Sequence, residues 1–215
     1  MIELNNIYKS FGNVEVLHDL SLSVREGNFT VITGSSGSGK STVLNIMGLL
    51  DGADKGSIRI NQHENVKPFS KYASDILRNE IGYLFQNFAL IENKSVKYNL
   101  MIALEHVKSK NKKKLIVDAL EKVGLKGFEN KKVFECSGGE QQRIAIARLL
   151  LKPCEIVLCD EPTGSLDEEN KHTVFNLLKY LQSQGKTLVV VTHDEDLVKI
   201  ADEVITIHKY EKTLS

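Results

Sequence analysis

Nine consecutive residues, Gly34 to Thr42, read GSSGSGKST. Their spacing is G-x-x-x-x-G-K-[ST], a pattern suited to holding phosphate. Gly34, Gly37 and Gly39 let the backbone wrap closely around an anion. Ser35, Ser36 and Ser38 complete a loop whose N–H groups can point inward. Lys40 would reach the β- and γ-phosphates of a nucleotide as a point charge. The hydroxyl of Ser41, ahead of Thr42, would ligate Mg2+. The plain alternative is a glycine-rich turn with no ligand. A second group lies at IVLCDEP, where Asp160 suits Mg2+, held through water. Glu161 points elsewhere and can polarise an attacking water as general base. Gln86, in YLFQNFAL, could join the Mg2+ and water shell, or could mark a surface turn. His193, in VVVTHDE, could contact a γ-phosphate and orient the water, or could be a structural strand-end histidine.

These groups need a frame. FTVIT, EIVLCDE and KTLVVVTHD are continuous apolar runs that each stop at polar residues, as strands buried on both faces do. They predict a parallel sheet whose strand ends carry the ligand site. STVLNIMGLL after the loop predicts a helix, whose positive N-terminal end would add to the phosphate cradle. MIEL, LSLSV and SIRI alternate apolar and polar residues and predict half-buried antiparallel strands. From Lys94 to Leu151 no β-rich run appears. LIVDALEKVGL has helical spacing, and Gly124 suits a helix C-cap. The expected fold class is α/β: a P-loop nucleotide-binding core with a mixed, mainly parallel sheet, an N-terminal antiparallel β-subdomain and a helical insertion subdomain. The core would comprise residues 1–87 and 152–215, and the insertion residues 88–151.

FECSGGEQQR poses a separate question. Ser137 and Glu140 stand three apart ahead of a run of helix formers, which is a capping box. The box leaves Gly138 and Gly139 unexplained, because each costs about 1 kcal/mol relative to alanine inside a helix. Bare N–H groups at a helix start make an anion site, so the stretch reads as a second phosphate grip. One nucleotide is already served by Gly34 to Thr42. The simplest source of another phosphate is a second copy of the chain, paired head to tail about a two-fold axis.

The 215 residues suffice for one domain, or for a core with a smaller subdomain. Charged residues make up 26% and the formal net charge is zero, which gives no case for a nucleic-acid partner. No apolar run approaches the roughly 20 residues of a membrane span, and the N-terminus lacks a signal-peptide pattern. Cys136, Cys154 and Cys159 form no CxxC and suit free thiols in a reducing cytoplasm. Lys108 to Lys114 reads as a solvated loop or helix start, with contact to acidic lipid as the alternative. The chain ends soon after a last strand in EVITIHKYEKTLS, so no regulatory domain is expected to follow.

Gly34 to Thr42, Gln86, Ser137 to Gln142, Asp160–Glu161, Ser165–Leu166–Asp167 and His193 occur in an order that resembles the ATP-binding cassette ATPases. The resemblance covers essentially the whole chain. It implies a homodimer sandwiching two ATP molecules, with Ser137, Gly138 and Gly139 of one copy on the γ-phosphate held by the other. It makes Phe11 the residue that stacks on adenine, with Tyr8 as the alternative. Asp167 resembles the residue that communicates across the dimer. ATP and Mg2+ are the implied cofactors. A separate transmembrane permease is the implied partner, contacting the helical insertion and holding the chain peripherally on the cytoplasmic face of the membrane. Leu44 to Gln62 resembles the branch of macrolide exporters and lipoprotein-release ATPases. Ile81 to Val96 resembles ATPase subunits of lactococcin-type bacteriocin exporters. An exporter of a peptide, bacteriocin or drug-like substrate is therefore expected, with a non-transporting ATPase that transmits force to a membrane partner as the alternative. The sequence departs from the family's Leu-Ser-Gly-Gly-Gln signature at Cys136, a packing position by this reading, and at Glu140, which keeps an acceptor but brings a charge.

Overall fold

The computed structural model describes residues 1–164 and 166–210. Ser165 and residues 211–215 lie outside the described residues. Among the described residues the strands form two sheets. The first joins β1 (Ile2–Phe11), β2 (Val14–Val24), β4 (Lys55–Ile60) and the short β5 (His63–Glu64) in the order β2-β1-β4-β5, every pairing antiparallel. The second joins β3 (Phe29–Thr33), β6 (Ile81–Leu84), β7 (Ile156–Asp160), β8 (Thr187–Val191) and β9 (Glu203–Thr206) in the order β6-β7-β8-β3-β9, every pairing parallel.

The apolar runs of the parallel strands follow from two buried faces. In β3, β7 and β8, Val31, Val157, Cys159, Leu188 and Val190 point into one core. Ile32, Ile156, Leu158, Val189 and Val191 point into the other. The second core is closed by α1 (Lys40–Met47) and by Ile2, Leu4 and Ile7 of the antiparallel sheet. The first is closed by α5 (Gly138–Leu151) and α6 (Glu168–Ser183), with α3 (Val96–Ala103) and α4 (Lys112–Lys122) packed outside them. The remaining helices, α2 (Lys71–Asn79) and α7 (Glu195–Ile200), are short.

Between β6 and β7 lie α3, α4, a 3-10 turn at Val133–Glu135 and α5. This stretch contains one isolated bridge, Ser95 to Lys132, and no strand among the described residues. Gly124 sits just past the end of α4 with φ of 73°. The Leu125 N–H donates to the Leu120 carbonyl at 2.8 Å and that of Gly124 to Glu121 at 3.1 Å, a Schellman closure. The lysine-rich run covers a loop and the first residues of α4, with Lys108, Lys110, Lys113 and Lys114 exposed.

Candidate active site

The register of the parallel sheet brings the sequence-predicted groups to one edge. Ile32 pairs with Val191, and Val191 pairs with Asp160. The chain continuing past these level positions carries Gly34 to Thr42, His193 and Glu161. Leu84 pairs with Cys159, which sets Gln86 on the neighbouring strand's continuation at the same edge.

The glycine-rich loop leaves β3 and turns into α1 at Gly39, whose φ of 93° is left-handed backbone. A Cβ there would lie 2.6 Å from Leu17 of β2, so both conformation and packing select glycine. Lys40 is largely buried, and its Nζ donates to the carbonyls of Gly34 at 2.9 Å and Ser35 at 3.0 Å. Those bonds hold the ammonium over the loop. The N–H groups of Gly37, Gly39, Lys40, Ser41 and Thr42 meet no acceptor among the described residues. The Ser38 hydroxyl is buried without a partner among them. A turn serving only the fold would be expected to satisfy such groups. Gly37, Gly39, Lys40, Ser41 and Thr42 line a cavity of about 380 Å³ together with Phe11, Ser36, Glu161 and His193. Inward N–H groups, a helix start and an ammonium fit a nucleotide's phosphates.

Asp160 ends β7 and accepts a hydrogen bond from the Ser41 hydroxyl at 3.3 Å. Burial raises its carboxyl above the ordinary value, against the pull of Ser41 and Lys40. A hydroxyl and a carboxylate side by side are the hard oxygen donors Mg2+ prefers. Glu161 follows in left-handed backbone, φ 44°, a conformation that a non-glycine residue holds only under constraint. Its N–H donates to the Val191 carbonyl at 2.9 Å. Its carboxylate accepts from Thr192 at 3.2 Å and lies 3.4 Å from His193 Nε2. The twist turns Glu161 away from Asp160, so adjacent carboxylates face different partners. Thr192 gave no sequence signal; its role comes from pairing between neighbouring strands.

Phe11 lies half exposed at the cavity rim. Tyr8 instead packs edge-on against His18, which stacks on Tyr210. Gln86 is exposed beyond β6, and the loop after it is held by Arg148 of α5, which donates to Phe88 O at 2.8 Å and Ala89 O at 2.6 Å. Phe88 and Ala89 both have positive φ, so a half-buried guanidinium fixes an otherwise costly turn.

Ser137, Gly138, Gly139 and Glu140 do not join this cavity; they begin α5 elsewhere. The capping box is present. Ser137 Oγ accepts from the Glu140 N–H at 3.3 Å, and Glu140 accepts from the Ser137 N–H at 2.7 Å. The charge at Glu140 is further met by Lys131 at 3.3 Å. Cys136 is buried in the helical core, consistent with packing. The two glycines differ: a Cβ on Gly138 would meet nothing within 4 Å, whereas one on Gly139 would strike Asn170. Sequence reasoning missed Asn170, and it gave no partner to Gln142, whose buried amide donates to the Pro162 carbonyl at 2.8 Å just past Glu161. Asp167 caps α6 by accepting from the Asn170 N–H at 2.8 Å.

A family model described as ABC transporter matches residues 17–164. The chain is 37% identical over 213 residues to a macrolide export ATP-binding/permease protein of Mannheimia succiniciproducens, covering 96% of this chain and 33% of that protein. It therefore spans about a third of the length of such relatives. An uncharacterized ABC transporter ATP-binding protein of Bacillus subtilis is 38% identical, covering 100% of this chain and 96% of the relative. Among solved structures, the dimeric structure of a bacterial ABC transporter cassette superposes with TM-score 0.89 at 35% identity, covering 97% of this chain and 94% of that one. A post-hydrolysis state of the same cassette, bound to ADP and Pi, gives 0.88 at 33% identity, covering 98% and 97%.

Proposed function

The chain belongs to the ABC transporter family, and from that premise we propose that it binds and hydrolyses ATP to power a membrane transporter. The carrying observation is the loop of unpartnered N–H groups and Lys40 facing the same cavity as Glu161 and His193. Gly34 to Thr42 hold the phosphates, and Phe11 lies against the adenine. Ser41, Asp160 and Gln86 would hold Mg2+, which supplies charge neutralisation across the phosphate oxygens. Glu161 accepts the proton of the attacking water, and its fixed backbone and Thr192 hold the carboxylate ready. His193 orients that water at the γ-phosphate. Lys40 stabilises the charge developing on the phosphoryl group.

Ser137 to Glu140 stand outside the cavity, so they serve a nucleotide held by a second copy, and two copies close two sites. The nucleotide-binding core comprises residues 1–87 and 152–215, and the helical subdomain residues 88–151. A groove of about 400 Å³ lined by Tyr83, Phe85, Ala89, Ile102 and Arg148 suits a helix of a separate permease. It adjoins the loop after Gln86, so nucleotide and permease would sense each other there. The chain would sit peripherally on the cytoplasmic face, driving export of a peptide, bacteriocin or drug-like compound. The macrolide-export names of its longer relatives support that direction.

Glu161→Gln tests the reading. Turnover should fall at least a hundredfold, while ATP affinity stays within a few-fold of the parent. Hydrolysis at the parent rate would remove Glu161 as the general base.

A further inference from the structure

We propose that Asn170 is a positioning residue that locks the first turn of α5 to Asp167 at the start of α6, and that residue 139 is glycine because the Asn170 amide occupies its side-chain space. This deepens the preceding functional reading and rests on it. A Cβ on Gly139 would lie 2.5 Å from Asn170 Oδ1, 2.6 Å from its Cγ and 2.9 Å from its Nδ2. A lone flexible amide could swing aside, but this one is held at both ends. Its Oδ1 accepts from Arg143 Nη1 at 2.5 Å, and Arg143 lies one turn beyond Gly139 on the same face of α5. Its Nδ2 donates to both carboxylate oxygens of Asp167, at 2.9 and 3.0 Å.

Only a side chain with an acceptor and a donor on one carbon serves both partners. Aspartate would set two carboxylates together, and alanine would leave the Arg143 guanidinium, whose Nε already lacks a partner among the described residues, without its Oδ1 contact. Gln142 adds a second tie between α5 and this segment through Pro162. The helix start offered to a second copy's phosphate is therefore tied to Asp167 through Asn170 and to Pro162, beside this copy's Glu161, through Gln142. Asn170 couples one chain's hydrolytic carboxylate to the grip it extends to the other site, without touching nucleotide itself.

A double-mutant cycle tests this on the full chain, with Gly139→Ala, Asn170→Ala and the double variant. Three quantities are read: ATP turnover, affinity for a fluorescent ATP analogue, and the urea unfolding midpoint. Asn170→Ala should lower turnover roughly tenfold, the scale of one hydrogen bond to a charged group, with analogue affinity unchanged within twofold. Gly139→Ala should lower turnover further. The double variant should return to the level of Asn170→Ala alone, because the obstructing amide is gone. Its midpoint should likewise lie above the sum of the two single losses. Additive losses in both readouts would overturn the proposal, and so would coupling in the midpoint with additive turnover, since the contact would then be merely structural. The midpoint reports the contact whether or not Glu161 is the base, so failure of the functional reading shows separately, in Glu161→Gln.

Discussion

Glu140 departs from the family's signature, and its surroundings show what the charge does. Burial pushes the carboxyl up, but the Ser137 N–H and Lys131 outweigh it and leave it below the ordinary value of 4.5. A carboxyl held below its unfolded value stabilises the fold above that unfolded value, and the contribution drains away as pH falls through the lowered one. Glu140→Gln should therefore destabilise by about 0.5–1 kcal/mol near neutral pH, the scale of a helix cap. The difference should close below the ordinary carboxylate range. Paired urea titrations at both pH values check this, and a gap unchanged in acid would count against the carboxylate. Turnover should stay within a few-fold, because the carboxylate faces its own helix start. The residue types at this site were readable from spacing alone. Their partners were not: Thr192, Asn170 and Gln142 reach Glu161, Gly139 and Pro162 across 31 positions for Thr192–Glu161 and 20 for Gln142–Pro162.

At the level of elements, helix ends decide where the site groups stand. α5 begins at a capping box, and α6 begins at Asp167. The end of α4 depends on Gly124, whose φ of 73° an alanine adopts only under strain. Gly124→Ala should cost about 1 kcal/mol, read as a lower urea midpoint with an unchanged slope. An unchanged midpoint would show that the Schellman closure is dispensable. Turnover per folded molecule should hold, since α4 packs outside the helices that carry site residues. The elements themselves were largely legible, because β3, β7 and β8 are buried on both faces and leave no polar alternation. The antiparallel N-terminal subdomain was legible too, but the order of strands within each sheet was not, because pairing partners are chosen by three-dimensional packing. The left-handed turn at Phe88 and Ala89 gave no local signal at all, since Arg148 holds it from about 60 positions away.

For the whole molecule, the decisive fact is that the glycine-bearing start of α5 does not line the chain's own cavity. In the proposed sandwich a second copy completes that site. Glu161→Gln with ATP and Mg2+ should then elute on gel filtration at twice the mass of the nucleotide-free chain, and adding Lys40→Ala should restore the smaller species. Persistence of the single-chain elution volume at saturating ATP would exclude the head-to-tail sandwich.

The sequence by itself determined the local chemistry: the glycine-rich loop at Gly34–Thr42, the paired carboxylates at Asp160 and Glu161, and the capping box at Ser137. Each depends on residues a few positions apart, whose mutual geometry follows from backbone conformation. Only the tertiary structure decided which groups meet. It set Glu161 in left-handed backbone beside Thr192 and His193, and split Gly138 from Gly139 by placing Asn170 over one of them. Those outcomes depend on strand register and on one helix packing against another, which no short stretch of chain encodes.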